Sequence, residues 1–218
     1  VGRKDLGDRP RSVLRALRLG FARAASERLN LPMAVIGAKQ ASCSQDDLVF
    51  LVDDDLIYSP EYVSLLLAHA NSLDLNNNVL GLHGTIYRRN IKSLRSRKRY
   101  DFSARLGKPV FVDQLGTGTV LVKGKNLPSF DFMSSSQKFV DVRFAKWCFE
   151  RQLDMVSVPR PKGTITSIRV SGGSIYDTFT RKSPDHVISE VRSFAGKGSR
   201  IKLVCHFGVF GLIARSLN

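Results

Sequence analysis

The sequence predicts an α/β domain, with a central sheet flanked by helices. Three observations carry this. Short apolar runs rich in β-branched residues recur at Leu48–Val52, Val79–Tyr87, Pro109–Gln114, Leu115–Val122 and Met155–Pro159, the pattern of strands buried in a core. Between them, Pro60–Leu73 and Phe139–Cys148 repeat apolar residues at three and four, as helices do. The 43% hydrophobic fraction is enough for a real core and argues against general disorder. At 218 residues the chain forms one large domain, or one domain with an appendage.

Val1–Arg11 is polar, with Gly2, Gly7 and Pro10, and reads as a loop. From Ser12, the apolar Val13, Leu14, Leu17, Phe21, Ala24, Ala25 and Leu29 face Arg15, Arg18, Arg23 and Arg28, an amphipathic helix with a basic outer side. Leu31–Ile36 reads as a short strand and Gly37–Asp47 as a polar connection.

The central stretch is LVFLVDDDLIYSPEYV, Leu48 to Val63, in which an apolar run opens directly onto Asp53, Asp54 and Asp55. Such a run reads as a strand buried on both faces, and the aspartates fall at its carboxyl end, where open α/β sheets place ligands. Three adjacent carboxylates repel one another, which favours a cation among them over a plain acidic turn. Hard cations such as Mg²⁺ or Mn²⁺ take oxygen ligands. Ser59 then reads as an N-cap, with Pro60 at the first helical position and Glu61 in the first turn. Tyr62, Val63, Leu66, Leu67 and Ala70 form the inner side of that helix.

Asn76–Asn78 reads as a turn into the second strand, which carries His83 near its end. A lone histidine there is either packed in the core or part of a site. Arg88–Arg105 holds eight basic residues: Arg88, Arg89, Lys92, Arg95, Arg97, Lys98, Arg99 and Arg105. It reads either as a solvated loop or as an arm reaching phosphates or an acidic acceptor. Gly116-Thr117-Gly118 lacks the spacing of a Walker or dinucleotide loop, but its glycines permit close approach of backbone to a ligand. Ser129–Lys138 reads as a polar loop. In the helix that follows, Val140, Phe144, Trp147 and Cys148 make a buried stripe, and Asp141 sits in the first turn, where the helix dipole favours an acid. Arg160–Arg169 is basic, Ser171–Asp177 reads as flexible, and a charged stretch follows. From Gly196 the composition shifts: Lys197, Arg200 and Lys202 precede the apolar Leu203–Ile213, too short to span a bilayer, which reads as a segment docked on the domain, at an interface or on a membrane.

Charge narrows the partners. Thirty-four basic against 19 acidic residues give +15, with a pI near 10.2, so an anionic partner is expected: nucleotide phosphates, nucleic acid, an acidic polysaccharide or an anionic membrane surface. Cys43, Cys148 and Cys205 are odd in number and show no metal-ligand spacing, the pattern of reduced thiols in a cytosolic compartment. No signal peptide is visible, and Val1 in place of Met is compatible with a trimmed chain or a fragment.

Taken in succession, VDDDLIYSPEYV (Val52–Val63), VLGLHGTIYR (Val79–Arg88), VDQLGTGTVLVK (Val112–Lys123), FVDVRFAKWC (Phe139–Cys148) and, more weakly, SIYD (Ser174–Asp177) resemble bacterial GT-A fold glycosyltransferases that build capsule, lipopolysaccharide or exopolysaccharide sugars. The resemblance covers roughly Leu48–Asp177 and implies a Rossmann-like catalytic domain with a central mixed sheet; with the composition shift at Gly196, that domain is assigned residues 1–195 and a C-terminal appendage 196–218. It also implies a nucleotide-sugar donor and a glycan or lipid-linked acceptor, and the basic balance then suggests a cytoplasmic enzyme peripheral at the inner membrane face. Asp53 and Asp55 would hold Mn²⁺ or Mg²⁺ at the donor diphosphate, with Asp54 near the ribose. His83 and Gly84 would line the sugar pocket, and Gly116, Thr117 and Gly118 its floor. Asp141 would take the acceptor proton, as the equivalent acid does in inverting members, and Asp177 would help close the site. Such domains open with a base-binding strand and helix, which Val1–Asp47 does not visibly supply; either the chain lacks its true N-terminus and with it the first strand, or the base is bound differently. Arg143 has no assigned role. Two other readings stand beside this one. The first is a basic nucleic-acid-binding protein, disfavoured because no RNP-like motif, zinc spacing or clear helix-turn-helix is present. The second is a metal-dependent phosphotransferase or nuclease using the same aspartates.

Overall fold

The computed structural model describes residues 43–136, 138–168 and 182–197. The predicted N-terminal loop, helix and strand, the Ser174–Asp177 motif with Asp177, and the apolar segment from Leu203 lie outside the described residues, as does Cys205. Among the described residues the fold is mixed α/β. A five-stranded sheet has the order β1-β8-β3-β9-β6, formed by β1 (Leu48–Val52), β8 (Thr119–Lys123), β3 (Asn78–Gly81), β9 (Asp154–Ser157) and β6 (Val110–Val112). β3 pairs in parallel with β9, while β1–β8, β3–β8 and β6–β9 are antiparallel. Hence β1, β3 and β9 all point to one edge, and β8 and β6 start there.

Period-two alternation feeds two cores. Leu51, Val79, Val120, Val122 and Met155 face α3 (Val140–Glu150) and, behind it, α4 (Asp185–Phe194). Leu80, Leu121 and Val156 face α1 (Tyr62–Ala70), where Tyr62 and Leu66 are buried. Helices thus cover both faces, as predicted.

Several elements differ from the sequence reading. β1 is the edge strand of the described sheet, so only Leu51 is fully buried and its neighbours are half-buried. The aspartates lead through a turn not into a helix but into β2 (Leu56–Tyr58), which pairs with β10 (Ile165–Ser167) in a separate ribbon. Ser59 closes a turn, its carbonyl accepting the Tyr62 N–H at 3.0 Å, and α1 begins without a side-chain cap.

The run Val79–Tyr87 is two strands, because Thr119 Oγ1 accepts the N–H groups of Leu82 and His83 at 3.2 and 3.0 Å and so breaks the ladder. Beyond the break, β4 (Gly84–Tyr87) joins a second sheet of order β5-β4-β7, with β5 (Arg97–Tyr100) and β7 (Gln114–Leu115). The predicted basic loop is therefore largely ordered, with Ile91 and Leu94 buried and β5 paired to β4. Within the predicted polar loop, Ser129 caps α2 (Phe130–Met133) by accepting the Phe132 N–H. α4 replaces the predicted charged stretch; it buries Val187, Ile188, Val191 and Phe194 at helical spacing. Arg143 pairs with Glu190 of α4 at 2.9 Å and lies over the Phe132 and Phe139 rings, a packing role between helices. Cys43 and Cys148 are free thiols. No helix among the described residues is long and apolar enough to cross a membrane.

Candidate active site

The carboxyl edge of the large sheet gathers most of the predicted site residues. Asp53 follows β1, His83 follows β3, and Gly116–Gly118 lead into β8 at the same edge. Asp141, in the first turn of α3, is brought there by Thr117, whose backbone N–H and hydroxyl both donate to Asp141 Oδ1, at 2.9 and 2.7 Å. Asp141 Oδ2 has no hydrogen bond to the described residues.

Glycine 118 is needed for space. A Cβ there would fall on the carboxylate of Asp53, which rests against the loop backbone while Asp53 stays open to solvent on its other side. Gly116 lies under the His83 ring, where a Cβ would stand 3.1 Å from His83 Cβ. Gly84 answers to packing instead: a Cβ would meet Val112 Cγ1 at 2.8 Å and Ser157 Cβ at 3.0 Å.

A residue outside the predicted set ties the aspartate turn to the glycine loop. Tyr58 Oη accepts the Asp53 N–H at 2.8 Å and donates to the Gly118 carbonyl at 2.7 Å. Its ring packs on Tyr62, with centroids 4.7 Å apart. Thr119 is likewise unpredicted; besides holding Leu82 and His83, its hydroxyl donates to the Gly116 carbonyl at 3.0 Å. Arg160, read as part of a basic stretch, is buried, and it donates to the carbonyls of Val158, Tyr100 and Asp101. It staples β5 to the end of β9. A tyrosine shortly after an acidic turn is visible in sequence, but its hydroxyl's target, sixty residues on, is not.

The electrostatics are acidic. Surrounding protein, then repulsion from Asp141, Asp55 and Asp54, push Asp53 from 3.8 up to about 7. Burial holds His83 below its ordinary value, and Arg99 and Arg97 act in the same direction against the opposing pull of Asp141 and Asp101. The balance favours the neutral imidazole. Its Nδ1 is buried without a hydrogen-bond partner among the described residues, and the ring centroid lies 5.5 Å from that of Phe102.

Among the described residues no group of three His, Cys, Asp or Glu side chains forms a ready metal cage. Nor does any described Lys or Arg pair with Asp53, Asp54, Asp55 or Asp141. An all-oxygen donor set of this kind fits a hard cation held by one or two carboxylates, with phosphates and water completing its shell. Asp54 and Asp55 are exposed in the turn itself. No family model matches the chain, and no curated protein is significantly similar to it.

Proposed function

We propose that the protein is a GT-A type glycosyltransferase, moving a sugar from a nucleoside-diphosphate sugar to a hydroxyl of a glycan or lipid-linked acceptor. The observation that carries this reading is the convergence on one sheet edge of Asp53, His83, the 116–118 loop and Asp141, with Thr117 joined to Asp141 and Gly118 carrying the Asp53 carboxylate. A carboxylate cluster and a second, separately held carboxylate across a glycine floor suit a reaction with an anionic leaving group and a hydroxyl nucleophile.

In this reading Asp141 Oδ2 takes the acceptor proton as the acceptor oxygen bonds to the anomeric carbon. The bond from that carbon to the diphosphate breaks, its electron pair leaving with the nucleoside diphosphate. Asp53 and Asp55 would hold Mn²⁺ or Mg²⁺, which when bound supplies Lewis-acid neutralisation of the leaving diphosphate. Asp54 would lie near the ribose, and His83 would offer the sugar a hydrogen-bonding nitrogen. Gly116 and Gly118 let the transferred sugar approach the backbone.

The test is hydrolysis of a panel of nucleotide sugars with Mn²⁺ or Mg²⁺, comparing the parent with the Asp53→Ala, Asp55→Ala double variant. Metal-dependent release of nucleoside diphosphate by the parent alone supports the reading. No binding or cleavage of any donor overturns it, as does phosphate release or nucleic-acid cutting without sugar transfer.

A further inference from the structure

The basic residues of Arg88–Arg105 are concentrated at one end of the β4–β5 ribbon, where the chain encloses a hollow of about 360 Å³ lined by Ile86, Tyr87, Arg88, Arg89, Arg97, Lys98 and Gly196. We propose that this hollow docks the phosphate headgroups of an anionic membrane surface.

Four cationic side chains line it around an apolar floor of Ile86 and Tyr87. Arg88, Arg89 and Lys98 are exposed and form no ion pair with the described residues. Asp113, beside the hollow, accepts the N–H groups of Tyr87 at 2.8 Å and Gly196 at 3.1 Å among its partners. The floor is rigid: the Tyr87 hydroxyl donates to Gln114 Oε1 at 2.6 Å, and its ring packs on Phe194 of α4. Positive charge is therefore held on a fixed frame rather than on a free loop.

The chain's own continuation chooses the occupant. Gly196 is a wall of the hollow, and the sequence runs from it through Lys197, Arg200 and Lys202 into the apolar Leu203–Ile213. Basic residues followed by an apolar stretch too short to span are the composition of a segment that lies on an anionic bilayer. A surface of this kind also suits the ribbon's geometry. Tyr87 is three residues along β4 from Gly84, so the hollow lies about 10 Å from the edge that carries His83.

The experiment is co-sedimentation of the full chain with vesicles of phosphatidylcholine alone or with 30% phosphatidylglycerol. It is run on the parent and on the Arg88→Gln, Arg89→Gln, Lys98→Gln variant, and it spares Arg97, which has its own partners. The expected result is binding to the anionic vesicles only, reversed by 0.5 M salt, with about a hundredfold loss in the triple variant. Nucleotide-sugar hydrolysis in solution is followed in parallel and stays at parental level, so this proposal and the proposed chemistry fail separately. Failure of the parent to bind, or equal binding by the variant, overturns the proposal. Binding of inorganic pyrophosphate or of single-stranded DNA through the same residues, with no vesicle binding, overturns it in favour of a soluble anion or a nucleic acid.

Discussion

Thr117 grips Asp141 twice: its backbone N–H and its hydroxyl both reach Oδ1, at 2.9 and 2.7 Å. One oxygen of the carboxylate is thereby fixed, and the other makes no hydrogen bond to the described residues. The pair also couples the glycine loop to the start of α3, two elements separated by twenty-four residues.

Thr117→Val keeps the shape and the backbone bond but loses the hydroxyl. Hydrogen bonds to a charged partner contribute about 1.5–3 kcal/mol, so urea unfolding should show a loss in that range. If Asp141 accepts the proton, kcat falls about tenfold or more while donor KM changes little, and Thr117→Ser restores most of it. Unchanged kcat in Thr117→Val would remove Asp141's orientation from the mechanism.

Gly118→Ala places a methyl where the Asp53 carboxylate lies. Titration calorimetry with Mn²⁺ and a nucleoside diphosphate should show binding lost or weakened more than tenfold. Gly107→Ala is the control, since nothing stands within 4 Å of a Cβ there, and its stability should stay within about 0.5 kcal/mol of the parent.

The carboxyl of Asp53 titrates near 7 in the fold against an ordinary 3.8. An acid raised by folding weakens the native state once ionised: its contribution is intact below about pH 4 and is lost as pH rises through 7. Asp53→Asn should therefore have a higher Tm than the parent at pH 8 in EDTA, with the gap closing toward pH 4. A flat or reversed difference across that window refutes the electrostatic picture. Added Mn²⁺ should raise the parent's Tm and leave the variant's nearly unmoved.

Tyr58→Phe removes the hydroxyl that joins the Asp53 N–H to the Gly118 carbonyl. Leaving the two backbone groups without it should cost about 1–3 kcal/mol. The variant should retain its fold by circular dichroism but hydrolyse donor with a weaker apparent metal affinity.

Glu190→Ala, by contrast, tests packing alone. It strands Arg143 between α3 and α4, with both side chains mostly buried at 18% and 10% exposed, and should cost about 3 kcal/mol. Donor KM should be unaffected in whatever protein remains folded.

Much of this was legible in the chain. Apolar runs located the strands β1, β3, β8 and β9, and three-and-four spacing located α1 and α3, because burial imposes those periods whatever the partner. Glycine at 116 and 118 and the acid at 53 could be singled out because their chemistry is local, whereas Asp141 by itself read only as an acid suited to a helix start. α4 was equally available, since Val187, Ile188, Val191 and Phe194 are helically spaced; its charged residues hid it.

Other features needed tertiary structure, because they depend on which distant group meets which. The break between β3 and β4 is made by a hydroxyl thirty-six residues away from His83, so no local pattern in Val79–Tyr87 could reveal it. The destiny of the basic segment was decided by Ile91 and Leu94 finding a core and by β5 finding β4. The sequence by itself determined an α/β core and an acidic turn at a strand end. Only the tertiary structure decided that this turn, a glycine loop and the start of a helix share one edge, because backbone pairing and single hydrogen bonds bring together residues that period and composition treat as strangers.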